Sequence, residues 1–167
     1  NQTPMNAPFD PSSAPVHPPM KPKLWQDFTV GESQQTWSVT LTEAHLLAWA
    51  GLTMDFYPLH MDEEYARDTV FGGRVIHGPM IFAMAIGLVG SSGFLGSRVV
   101  ALLGVENMRI TTPTRAGDTI TAFATVLERR ETRNTERGII VFEYEVRNQR
   151  ADTVMKFHNL IMFPRQP

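Results

Sequence analysis

Hydrophobic and polar positions alternate with two different periods along this chain. In the second half the period is two. Ile120, Ala122, Ala124 and Val126 point one way, while Thr119, Thr121 and Thr125 point the other; Ile140, Phe142, Tyr144 and Val146 repeat the pattern opposite Glu143, Glu145 and Arg147. That alternation predicts strands with one face buried. Val99–Thr111 and Thr153–Phe163 read as further strands, with Asn148–Asp152 turning into the last, and Gln34–Leu41, rich in Thr, Val and Trp, reads as the first. Between them the pattern turns helical. Thr42 is an N-cap candidate ahead of a face traced by Ala44, Leu47, Ala48 and Gly51, and Asp62 is another ahead of Glu63–Asp68. Pro79–Val89 is apolar all round, which predicts a helix buried on every side and ended by the glycines at 90, 93 and 96. A fully apolar helix needs a wrapping partner, and five strands suited to antiparallel pairing supply one. The fold class expected is α+β, a long antiparallel sheet wrapped around a central apolar helix.

Composition divides the chain unevenly. Residues 1–22 hold seven of the twelve prolines and none of the twelve glycines, a mixture that predicts an extended arm or linker ahead of a single domain over 23–167. The formal net charge of −2 argues against a protein that grips nucleic acid by neutralising phosphates. With no cysteine, a disulfide scaffold, a thiolate nucleophile and Cys-ligated zinc are excluded. The absence of a long apolar run or an apolar leader predicts no membrane span and a cytoplasmic protein.

Candidate chemistry concentrates between residues 51 and 79. Asp55 and His60 flank Pro58, which disfavours a regular helix there and allows a loop to turn both side chains into one cleft. A carboxylate beside an imidazole moves protons near neutral pH; residue types alone leave open that the two are unrelated or merely in structural contact. Gly78 falls at the start of the apolar helix, where backbone N–H groups lack intrahelical partners. It reads either as an oxyanion donor or as a plain helix-entry turn. His77 is either a hydrogen-bonded packing residue or a polar group facing a ligand. His17, His45 and His158 lack neighbours at metal-ligand spacing, and no phosphate loop or dinucleotide fingerprint occurs. Arg129–Gly138 reads as a solvated hairpin loop that could reach an anionic cofactor tail.

Taken together, these segments resemble the MaoC-like hydratases and dehydratases, which include the (R)-specific enoyl-CoA hydratases. Trp49 leads into the motif, Asp55, Pro58, Leu59 and His60 fall in register, and Ala66 closes it. The run Phe71-Gly-Gly-Arg-Val-Ile-His-Gly78 and the turn Ala116-Gly-Asp-Thr119 are also similar to that family. The resemblance implies a hot-dog fold and a homodimer or higher homo-oligomer, with acyl-CoA thioester sites near the subunit interface. It implies Asp55 and His60 as the catalytic acid–base pair and the Gly78 N–H as oxyanion donor, with Tyr57, Phe71, His77 and Ile86 as substrate-binding residues. CoA would enter as part of the substrate, and neither a metal nor a separate cofactor is implied. Three positions depart from the family pattern: Met54 stands for the usual Gly, Tyr57 for the usual Asn, and Ile86 for a Ser. The activity expected is hydration of a 2-enoyl thioester or the reverse dehydration. The alternatives are a hot-dog acyl-CoA thioesterase and a non-catalytic acyl-CoA-binding subunit.

Overall fold

Five strands form one antiparallel sheet in the order β1-β3-β4-β5-β2. They are β1 (Ser33–Thr40), β2 (Ala101–Ile110), β3 (Thr119–Glu131), β4 (Arg137–Asn148) and β5 (Thr153–Pro164). The computed structural model describes residues 20–166. Most of the expected Pro-rich arm, residues 1–19, therefore lies outside the described residues.

The sheet follows its alternation. Ile120, Ala122, Ala124 and Val126 of β3 and Ile140, Phe142, Tyr144 and Val146 of β4 are all buried. They pair in register, with Ala124 opposite Tyr144 and Val126 opposite Phe142. β3 and β4 extend farther than expected. Arg129–Glu131 belong to β3 and pair with Ile140, Ile139 and Gly138, so only 132–136 form the connecting loop. The guanidinium of Arg129 lies 4.8 Å from the Trp25 ring, and Arg165 also lies 4.8 Å from it. This arginine-rich hairpin thus packs partly onto the short 3-10 turn Trp25–Asp27 rather than being wholly solvated. At the other hairpin, Asn148 accepts from the Arg150 and Asp152 N–H groups and so builds the predicted turn.

Four helices lie between β1 and β2: α1 (Glu43–Thr53), α2 (Pro58–Met61), α3 (Glu63–Arg67) and α4 (Gly78–Ser91). Thr42 caps α1 through the His45 N–H, and the Asp62 carboxylate caps α3 through the Tyr65 N–H. α4 packs against β1 and β3, but it is not buried on every side. Met80, Ile81, Ala85 and Val89 form the buried stripe; Phe82, Met84, Ile86 and Leu88 are half-buried and Gly87 is exposed. One sheet covers one side of a helix, so the opposite side of a uniformly apolar helix stays open in a single chain. Gly90 lies within α4, which ends at Ser91, while Gly93 and Gly96 follow with φ of 78° and 67°.

Candidate active site

Asp55 and His60 reach their places through a turn, not through one helix. α1 ends at Thr53, and its C-cap Met54 adopts the left-handed conformation with φ 63° and reverses the chain into Asp55. The Asp55 carboxylate then accepts the Tyr57 N–H at 3.3 Å. Pro58 does not prevent helix formation as expected. It occupies the first position of the single-turn helix α2, where its missing N–H costs nothing, and this helix carries His60. The carbonyl of Val75 accepts a 2.7 Å hydrogen bond from His60 Nδ1. That bond fixes the proton on Nδ1 and leaves Nε2 as the nitrogen with a lone pair.

His60 lines a cleft of about 350 Å³ together with Phe71, Val75, Ile76, Gly78, Ile81, Ile110–Thr114 and Val154. Thr111 and Thr112 spend their hydroxyls on the Thr153 carbonyl, so the cleft wall is largely apolar. Gly78 begins α4 and Pro79, with no N–H, follows it; the Gly78 N–H is therefore the donor offered at this 14-residue helix's entry. A Cβ at Gly78 would sit 2.5 Å from Ile110 Cδ1, so a larger residue there would require the end of the Ile110 side chain to move.

His77 is wholly buried and its ring stacks on His60 with centroids 3.8 Å apart and planes 27° from parallel. Its Nε2 donates to the Asp55 backbone carbonyl at 2.9 Å and lies 3.9 Å from the Asp55 carboxylate. One donor atom from each of Asp55, His60 and His77 lies within 4.8 Å of the others, a cluster that sequence spacing did not reveal. Lone pairs of an imidazole lie in the ring plane, so two nearly parallel stacked rings do not aim at one ion. One nitrogen of each ring is also engaged by a backbone carbonyl. The arrangement suits proton transfer better than tetrahedral coordination.

Three of the four expected substrate-binding residues, Tyr57, His77 and Ile86, do not line this cleft, and neither does Asp55, which stands behind His60. Tyr57 is more than half exposed, and its hydroxyl meets that of Tyr65 at 3.5 Å, a hydrogen bond that holds the Tyr65 phenol above its ordinary pKa. Ile86 lies two turns along α4 from Gly78. Of the expected site residues, His60, Phe71 and Gly78 border the cleft of the single chain. Val75, the residue whose carbonyl orients His60, gave no signal in the sequence, since the contact is made by its main chain. Arg115 was also missed. Its guanidinium donates to the carbonyls of Phe71 and Arg74 and so clamps the glycine turn at 72–73, where both φ angles are positive. That Gly-Gly pair was the available sign that a shaped loop leads into Gly78.

The family model described as MaoC like domain matches residues 27–147. The chain belongs to the MaoC-like family. Among curated relatives of this MaoC-like chain, Protein MaoC of Klebsiella aerogenes is 38% identical over 98 residues, which is 59% of this chain and 29% of that protein. The chain thus spans less than a third of that relative's length. An (R)-specific enoyl-CoA hydratase of Rhodospirillum rubrum is 34% identical over 105 residues, covering 61% of this chain and 68% of the relative. Among solved structures, a monoamine oxidase regulatory protein from Archaeoglobus superposes with a TM-score of 0.84 at 31% identity, covering 88% of this chain and 97% of the other. A Mycobacterium tuberculosis protein with a double hot-dog fold superposes with a TM-score of 0.75 over 87% of this chain and 45% of that one; at 20% identity it speaks for the fold alone. Among the described residues no helix is long and apolar enough to cross a membrane.

Proposed function

We propose that this MaoC-like domain is a hydratase, or in reverse a dehydratase, acting on a 2-enoyl or 3-hydroxyacyl thioester, with CoA as the thioester carrier. The observation that carries the reading is the position of His60. Its Nδ1 is tied to Val75, its ring borders an apolar cleft that also contains Gly78, and its donor atom is within 4.8 Å of that of Asp55. In the hydration direction the Asp55–His60 pair takes a proton from water as the water oxygen bonds to the β-carbon. The C=C π electrons move toward the thioester carbonyl, and the Gly78 N–H at the positive end of α4 stabilises the developing oxyanion. The pair returns a proton to the α-carbon as the carbonyl reforms, so the net change is addition of one water. The two residues share the proton traffic as a coupled pair. Relatives described as enoyl-CoA hydratases support the same reaction class.

The domain acts as a homodimer in this reading. The β2 edge exposes Leu102, Leu103 and Ile110, and α4 leaves an apolar side open, which are surfaces a second copy would cover.

The test is incubation of the purified protein with a panel of 2-enoyl-CoAs. Loss of enoyl absorbance without free thiol is the expected result. Release of thiol would make the protein a thioesterase, and binding without turnover would make it a carrier module.

A further inference from the structure

We propose that His77 is a positioning residue, holding Asp55 and His60 in register with the Gly78 N–H; the inference rests on the hydratase reading and goes beyond it. The residue touches all three parts of the site at once. Its main chain forms the N-cap of α4, with its carbonyl accepting from the Met80 and Ile81 N–H groups, and the next residue is Gly78. Its side chain takes no part in capping. Instead Nε2–H donates to the Asp55 carbonyl at 2.9 Å, and the ring face lies against His60. An N-cap ordinarily is Ser, Thr, Asp or Asn, whose side chain accepts a first-turn N–H; the His77 imidazole makes no such bond and is turned to Asp55 and His60 instead.

The cost of this arrangement is visible. Among the described residues His77 Nδ1 is buried without a hydrogen-bond partner. Such an orphan destabilises the fold, so the position is not explained by packing alone. Donation from Nε2 to a carbonyl requires the proton there, so in the neutral ring Nδ1 is the bare nitrogen. Asp55 has few other anchors, because its own side chain reaches only the next turn and its N–H bonds weakly to Thr53 Oγ1 at 3.4 Å. The Asp55 main chain is thus fixed from the inside by His77, while the ring stack sets the tilt of His60. Loss of either contact lets the acid–base pair drift relative to the oxyanion donor, and drift of about 1 Å is enough to lower turnover on the order of a hundredfold.

Three variants separate the two contacts in the full chain. His77→Ala removes both, His77→Gln keeps an amide N–H able to reach the Asp55 carbonyl, and His77→Phe keeps a ring to stack on His60. With the best enoyl-CoA of the panel, and with rates referred to the folded fraction, His77→Ala should lose about a hundredfold in kcat with KM changed by less than about threefold. His77→Gln should recover about tenfold of that loss. A rise in KM at unchanged kcat would make His77 a substrate contact and overturn the proposal, as would Gln performing no better than Ala. If Ala does not fold, Phe falling below Gln in kcat sustains the proposal, and both matching the wild type overturns it. If the wild type turns over no enoyl-CoA, the hydratase reading fails separately. Crystal structures of wild type and His77→Gln and His77→Phe variants then decide. A displaced Asp55 carbonyl in Phe and a tilted His60 ring in Gln sustain the positioning role; an unmoved pair in both overturns it.

Discussion

The sheet and the segment from Met54 to Gly78 are built on opposite terms. Along most of β3 and β4 a side chain's place follows from its parity: β4 buries Ile140, Phe142, Tyr144 and Val146 on one face, and the neighbours on β3 do likewise. Removing any one of them leaves the rest of the pattern to specify the same register. The segment 54–78 has no such redundancy. It consists of a left-handed Met54, two helices of four and five residues, and a glycine turn with positive φ. Its key contacts are single bonds to main-chain carbonyls, Val75 for His60 and Asp55 for His77. Stability is spread over the sheet, while the chemistry hangs on a few contacts that stability does not duplicate. Substitutions in the two regions should therefore separate folding from turnover.

The largest separation is expected at the acid–base pair. Asp55→Asn and His60→Asn should each lower kcat by about two to four orders of magnitude, the scale of a general acid–base group. The double variant should be scarcely worse than the poorer single one, because groups sharing one proton path are non-additive. Thermal melting should be little changed, since Asp55 is exposed on a turn and neither residue belongs to the core cluster. Full activity in a folded Asp55→Asn protein would end the proposed mechanism.

Phe142 is the mirror case. It is fully buried and meets Phe28, Phe94, Phe163 and Tyr144 with ring centroids between 5.5 and 6.4 Å. Phe142→Ala should cost about 3–5 kcal/mol in denaturant unfolding. The fraction that remains folded should keep its kcat, and a loss of kcat in step with Asp55→Asn would show that the sheet tunes the site more than its geometry implies.

Gly78 sits on the border between the two regions. An added Cβ meets Ile110 Cδ1 at 2.5 Å, and because that atom ends a flexible, half-exposed side chain, Gly78→Ala turns Ile110 within the cleft wall rather than moving the helix entry. With the Gly78 N–H left in place, the displaced Ile110 should narrow the cleft and lower kcat/KM by no more than about tenfold. Ile110→Val deletes the clashing carbon, and the double variant Gly78→Ala/Ile110→Val should regain most of the loss. Failure of this rescue would show that the helix entry itself moves.

How far each region was legible follows from the same contrast. Parity along β3 and β4 is a local signal, and it identified both the buried face and the sheet. The helix caps at Thr42 and Asp62 were equally local. The uniform apolarity of α4 was read as burial on every side because sequence alone does not say which surface meets a sheet of the same chain and which is left for another. At the site, motif register drew attention to Asp55, His60 and Gly78. What it missed was tertiary: the stacking of His77 on His60, the Val75 carbonyl, and the Arg115 clamp on the glycine turn all join residues brought together by chain reversals. Tyr57 was expected in the pocket because it lies between Asp55 and His60 in sequence, yet the turn that gathers those two sends its ring outward to Tyr65.

Met54 gives the finest test of the contrast. It stands where the family pattern has glycine, and its φ of 63° explains why glycine suits the place. A side chain in this left-handed conformation costs about 1–2 kcal/mol, and at 75% exposure Met54 recovers little of that by packing. Glycine would remove the strain but would raise the entropy of the unfolded chain, a penalty of about 0.4–1 kcal/mol. Strain wins by a small margin, so Met54→Gly should stabilise the protein by about 0.5–1 kcal/mol and raise Tm by roughly 1–4 °C. The path of the chain into Asp55 is already the one glycine prefers, so kcat should stay within about twofold of the wild type. A stabilised variant with a clearly lower kcat would mean that the Met54 side chain, and not only its backbone, helps to set Asp55; the turn would then be less separable from the chemistry than the sheet is.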